Sequence, residues 1–304
     1  PKPVLQPHIS LLTEQEGMTR SKSLFWNTLL GAANKWARYQ RLRDFRRRVK
    51  RHYNRPLMVS EGDSWFQHPT VMEIIDHLSL YYNIYSTGAA GDEMRNYLMT
   101  GEYLEAFVDV GKEMESLAKE LEQEVRTPEY FLLSGGGNDI LGDQFKDFLN
   151  AYTEVEDLPE GEKPERFLNR RFEDEMQAIM DLYQHVFTRM QTEQPEVTVI
   201  VHGYDYVHPL GVDDKGMSWL GKPMTLRGIL RPGDRKGITD YLINEFNRRL
   251  LAVAAPFGQV THVDLRGAVK PYQWSDEIHP DDEGYQNIAL RFTQAIDQLI
   301  QQKR

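Results

Sequence analysis

Leu57-Met58-Val59-Ser60 runs directly into Glu61-Gly62-Asp63-Ser64-Trp65-Phe66. The first four residues lack the polar alternation of a half-exposed strand, so they read as a strand covered on both faces. The glycine, aspartate and serine after them suit a tight turn into a helix. The same unit recurs further along. Tyr82–Tyr85 is followed by Ser86-Thr87-Gly88-Ala89-Ala90-Gly91-Asp92, and Tyr130–Leu133 by Ser134-Gly135-Gly136-Gly137-Asn138-Asp139. Val197–Val201 and Val260–Leu265 are two further strand-like runs. Helix-spaced apolar residues lie between the runs. They are Val71, Ile74, Ile75 and Leu78; Leu104 onward to Val125; Met176, Ile179, Met180, Tyr183, Phe187 and Met190; and Ile238, Leu242, Phe246 and Leu250. Ile288, Phe292, Ile296 and Ile300 close the chain in the same spacing. Strands alternating with helices predict a parallel sheet with helices on both faces, and ligands in such sheets bind beyond the carboxyl ends of the strands.

Composition narrows the chemistry. The chain has 304 residues, 40% hydrophobic and 27% charged, which is enough apolar material for a sizeable core. It has no cysteine, so disulfides, thiolate nucleophiles and cysteine-bound zinc or iron–sulfur centres are excluded. No apolar stretch approaches the ~18 residues of a membrane span and no clear targeting peptide is visible, so a cytoplasmic location is expected.

Charge is uneven. Residues 1–55 carry thirteen basic and three acidic side chains, a net of +10 in a chain whose total is −10. We therefore expect a basic, mostly helical N-terminal extension at 1–55 and a domain at 56–304, with excursions near 140–170 and 203–237. Trp26, Leu30, Ala33, Ala37, Phe45 and Val49 suggest one helix within 22–53. Three partners suit its basic face: the acidic body of this or a neighbouring subunit, an anionic membrane surface, or nucleic acid. The first is favoured, and nucleic acid is the weakest because no reading motif accompanies the charge.

Chemistry gathers where the strands end. Gly62-Asp63-Ser64 offers a hydroxyl, although the same tripeptide serves as a simple turn. Gly88 and Gly91 permit close backbone approach. The glycines at 135–137 are not a P-loop, since no Lys-Ser/Thr pair comes after them, nor do they match GxGxxG. Asp276-Glu277-Ile278-His279 sits just before the last helix. Its aspartate can orient the imidazole, or it can merely start that helix. Together these blocks supply nucleophile, base, orienter and hydrogen-bond donors, the inventory of acyl transfer.

In this the sequence resembles the SGNH (GDSL) hydrolases, a family of esterases and lipases. The resemblance rests on Gly62-Asp63-Ser64, Gly91, Gly136-Gly137-Asn138-Asp139 and Asp276-Glu277-Ile278-His279, in that order. It implies a flavodoxin-like three-layer α/β/α sandwich whose five-stranded parallel sheet has order 2-1-3-4-5. It implies Ser64 as nucleophile, His279 as base and Asp276 as its orienter. The Ser64 and Gly91 N–H groups and the Asn138 amide would form the oxyanion hole, with Asp63 bracing the turn. The activity implied is hydrolysis of a small-molecule or lipid carboxylic ester, without metal or cofactor. Carbohydrate O-acetylesterase, acyltransferase and non-catalytic binding module are the alternatives. Glu61 departs from the family, which commonly has an apolar residue there. Such a carboxylate would repel anionic substrates, act on His279, or point into solvent. Trp65 and Phe66 suit either an acyl pocket or packing. His202, His208 and His262 lie near strand ends but lack ligand spacing, so ordinary polar roles are expected.

Overall fold

The computed structural model describes residues 40–303 except 69, 92, 142 and 210–217. By contact the chain divides into two units, Pro1–Asp44 and Phe45–Arg304. Of the first unit only residues 40–44, which are helical, are described.

The second unit is built on five strands that form one parallel sheet: β1 (Leu57–Glu61), β2 (Asn83–Ser86), β3 (Tyr130–Leu133), β4 (Thr198–His202) and β5 (Val260–Val263). Their order is β2-β1-β3-β4-β5, as the resemblance implied. Each lies within two residues of the expected run. Every residue of β1, β3 and β4 is buried, which is why those runs carry no polar alternation. The edge strand β5 is half-buried along three of its four residues.

Handedness distributes the helices. The step from β1 to β2 runs one way across the sheet, and each later crossover runs the other. Right-handed crossovers then put α1 (Ile74–Leu78) on one face and the later crossover helices on the opposite one. These are α2 (Met94–Thr100), α3 (Glu102–Leu121), the short α4 (Gly137–Ile140) and α5 (Arg170–Glu193), then α6 (Gly221–Leu226) and α7 (Pro232–Ala254). The closing helix α8 (Asp282–Gln302) packs against α1, completing the three layers. Met176, Met180 and Met190 are buried along α5, so the methionine stripe is core. Val71 and Val125 fall outside their helices, and α2 was not among the helices expected from the sequence.

The excursion at 140–170 consists of short 3-10 turns closed by a bridge between Leu149 and Leu168. That at 203–237 contains α6 and the start of α7. Of the basic extension, residues 1–39 lie outside the described residues, Trp26, Leu30, Ala33 and Ala37 of the expected helix among them. Helical residues 45–51 bury Phe45 and Val49 completely. On their charged side Arg46 pairs with Glu113 and Glu120, and Lys50 with Glu120 at 2.5 Å. Both acids are on α3. Among the described residues no helix is long and apolar enough to cross a membrane.

Candidate active site

Gly62 ends β1 where β3 crowds it. A Cβ there would stand 2.7 Å from the Ser134 Cβ and 3.0 Å from the Ser134 carbonyl oxygen. The chain then turns, with the Phe66 and Gln67 N–H groups both donating to the Asp63 carbonyl at 3.0 Å. The buried Asp63 carboxylate holds this turn to its neighbours. Oδ1 accepts from the Trp65 N–H and the Ser134 hydroxyl, each at 3.0 Å, and Oδ2 accepts from the Tyr204 hydroxyl at 2.5 Å. The Tyr204 oxygen in turn accepts from the Gly137 N–H at 3.0 Å. Loops after β1, β3 and β4 are thereby fastened together around Ser64.

The loop before α8 approaches from the other side. The Ser275 N–H donates to the His279 carbonyl at 2.8 Å, so the chain doubles back over Asp276–Ile278. Asp276 Oδ1 accepts from the Ile278 and His279 N–H groups at 2.8 Å each. That leaves Oδ2 to meet His279 Nδ1 at 2.8 Å, while His279 Nε2 stands 2.8 Å from Ser64 Oγ. Burial pushes the Asp276 carboxyl upward, but the hydrogen bond and charge of His279, with the two N–H donors, outweigh it and hold the group below the usual carboxylate range. Strand order, four strand-end blocks and one Ser–His–Asp chain of hydrogen bonds now stand together. The chain has an α/β/α fold on a parallel sheet of order 2-1-3-4-5, the arrangement the resemblance implied.

No model of a protein family matches this chain, and no curated protein matches its sequence. Among solved structures it is similar to an extracellular lipase from Streptomyces rimosus, with TM-score 0.49 and 15% identity over 79% of this chain and 99% of that one. It is similar to a lipase from a goat rumen metagenome, with TM-score 0.48 and 12% identity over 79% and 97%. A third is phospholipase A1 from Streptomyces albidoflavus, with TM-score 0.46 and 15% identity over 79% and 99%. Likenesses this distant say nothing about substrate.

Asn138 lies on α4, half-buried, and lines the same cleft as Ser64. The preceding Gly136 has φ +93°, and a Cβ there would meet Phe246 at 2.8 Å and Ile179 at 2.9 Å. Conformation and packing both require glycine at this position. Gly91 also takes a positive φ, +78°, but it is exposed after β2 and is not among the residues lining the cleft. The cleft is narrow and opens to solvent. Its apolar wall comes from Ile140, Leu141, Val207, Leu242, Ile243 and Phe246. Trp65 lines it too and donates to the Ile278 carbonyl at 3.2 Å, whereas Phe66 is fully buried against His202 and Phe292.

The parts played by several site residues could not be read from the sequence. Glu61 does not point into solvent. It is 1% exposed, accepting from the Gly62 N–H at 3.0 Å and from the Thr87 hydroxyl at 2.6 Å, which ties β1 to the loop after β2. Asp139 reaches the Met94 N–H at 2.9 Å, so the loop carrying Asn138 holds the start of α2. Burial pushes Asp139 up to about 6. Asp205 accepts from the Gly267 and Val269 N–H groups at 2.6 and 2.7 Å. The His68 ring centroid lies 4.7 Å from that of His279.

Among the described residues no group of three or more metal-ligating side chains is placed to hold an ion. His208 packs on Trp274, and its N–H donates to the Glu277 carbonyl at 3.0 Å. His262 is half-buried on β5. His202 is fully buried among Trp65, Phe66, Tyr204 and Phe292. Burial lowers its pKa to about 4. Between about pH 6.5 and 4 the unfolded chain binds a proton that the folded chain refuses, so stability falls with pH across that window, by about 3 kcal/mol in full. His202→Phe is expected to remove most of that slope. Urea midpoints at pH 7 and 4.5 for both proteins measure it, and parallel slopes would contradict the assignment.

Proposed function

We propose that this chain is a serine ester hydrolase that works through an acyl-enzyme. The observation that carries this reading is the chain of two 2.8 Å contacts linking Ser64 Oγ, the His279 ring and Asp276 Oδ2. His279 Nε2 takes the Ser64 proton as Oγ attacks the ester carbonyl, and Asp276 stabilises the imidazolium. The tetrahedral intermediate collapses, and its alcohol leaves with the proton from His279. Water, deprotonated by the same nitrogen, then releases the acid and restores Ser64. The apolar cleft beside Ser64 suits a hydrocarbon acyl group better than a charged or sugar-like one.

The Asn138 amide, with the Ser64 and Gly91 N–H groups, is assigned to the oxyanion. The shared cleft of Ser64 and Asn138 supports the amide's place there. The Gly91 assignment rests on the family resemblance. Asn138→Ala is expected to lower kcat by roughly 10²–10³-fold with KM little changed, as loss of one oxyanion donor does elsewhere. A KM effect with kcat intact would place the amide in ground-state binding instead.

The reading is tested by a fluorophosphonate probe. Peptide mass mapping is expected to find it attached to Ser64, and no labelling at Ser64 would overturn the proposal.

A further inference from the structure

The His279 ring is flanked by two aromatic side chains outside the triad. His68 lies 4.7 Å away, centroid to centroid, and Trp219 lies 6.5 Å away with its ring nearly perpendicular at 86°. Trp219 is 36% exposed, so its ring offers a free apolar surface beside His279. It does not line the apolar cleft beyond Ser64.

The segment carrying Trp219 is fastened to the triad loop itself. The Glu277 carboxylate, between Asp276 and His279 in sequence, is 3% exposed. It accepts from the Ser218 hydroxyl at 3.0 Å, the Leu220 N–H at 2.7 Å and the Gly221 N–H at 3.0 Å. Ser218 Oγ also accepts from the Lys222 N–H at 2.8 Å. A buried carboxylate with three donors, two of them backbone, fixes a segment far more firmly than an exposed ion pair does. Asp276 and Glu277 thus divide the work: one orients the imidazole and the other fixes an indole beside it.

That placement defines a side of the reaction. In acylation the C–O bond breaks as the proton on His279 Nε2 passes to the departing oxygen, so the alcohol must stand against the His279 ring. The acyl group occupies the separate cleft. We infer that Trp219 and His68 form the leaving-group subsite, with Glu277 as its positioning residue, and that the subsite favours alcohols presenting a flat apolar face. The Thr70 N–H donates to His68 Nδ1 at 3.3 Å, which holds the ring in place and puts its proton on Nε2. This inference rests on the proposed hydrolase reading and adds the choice of alcohol to it.

The test uses esters of one fatty acid with methanol, p-nitrophenol and 2-naphthol. kcat/KM reports acylation, where the alcohol is still attached, and ratios of variant to wild type cancel the intrinsic reactivity of each ester. Trp219→Ala is expected to lower kcat/KM for the two aryl esters about tenfold, through KM, and for the methyl ester less than twofold; an apolar contact of this size is worth about that factor. Glu277→Gln is expected to show the same selective loss, and Trp219→Phe to recover most of the aryl preference. The fluorophosphonate probe runs alongside as a control. Full labelling of Ser64 with equal losses on all three esters, or with none, overturns the subsite. Failure of the wild-type chain to label overturns the hydrolase reading as well.

Discussion

Ser64→Ala is expected to reduce hydrolysis of short aryl esters by roughly 10⁴-fold or more while leaving the thermal midpoint within a few degrees of wild type. Removing a triad nucleophile elsewhere leaves only the catalysis that binding and oxyanion donors supply. The fold should tolerate the change because Ser64 does not hold its own turn. That work belongs to Asp63, through Trp65, Ser134 and Tyr204, and to Gly62, which lets β1 lie against β3. Among the described residues the Ser64 hydroxyl bonds to His279 Nε2, and a typical hydrogen bond contributes only about 1 kcal/mol. Hydrolysis rates and thermal melts on the two proteins check both halves. Comparable rates would remove Ser64 from the chemistry, and a collapsed melt would make it a structural residue.

This separation of chemistry from scaffolding explains what could be read from the sequence. The strands were legible because burial on both faces leaves continuous apolar runs, as in Tyr130–Leu133. Ser64, Asp276 and His279 were legible because the resemblance to the SGNH hydrolases singles out those residue types in that order. Strand order was not legible from the runs themselves and came with the family resemblance. The partners of the carboxylates that assemble the site were not legible either. Asp139, Asp205 and Glu277 find partners among backbone N–H groups of other loops, and backbone donors leave no trace in residue identity; Glu61 takes the adjacent Gly62 N–H and the Thr87 hydroxyl 26 residues away. Glu277 bonds to groups 56 and 57 residues earlier in the chain, so no local pattern reveals it. His68 lies outside any helix or strand, where periodicity does not operate. Short motifs therefore pointed to the side chains that the fold brings into one hydrogen-bonded row, whereas the groups that hold the loops in place needed the folded chain.

Asp276→Asn is the sharper test of mechanism, because it replaces one carboxylate oxygen with an NH₂ and leaves the shape. Asp276 Oδ1 is committed to the Ile278 and His279 N–H groups. An asparagine must keep its carbonyl oxygen there, or two backbone donors lose their acceptor. Its NH₂ then faces His279 Nδ1 and donates to it. The imidazole can accept that bond only with its proton on Nε2, and a protonated Nε2 cannot take the proton of Ser64. The expected result is a fall in kcat of about 10⁴-fold, as for the equivalent change in a serine protease, with KM and the thermal midpoint nearly unchanged. Fluorophosphonate labelling of Ser64 should slow in parallel, since the probe needs the same activated oxygen. The pH window is a further check. Asp276 is held below the usual carboxylate range, so its stabilising contribution is complete above the carboxylate pKa of the unfolded chain and is lost only as pH falls through its folded value. Between pH 6 and 8 Asp276 is therefore ionised throughout, and the defect should be present at every pH in that range. Stopped assays across that range measure it, and a variant that keeps a tenth or more of wild-type kcat would show that Asp276 neither sets the His279 tautomer nor supports its charge.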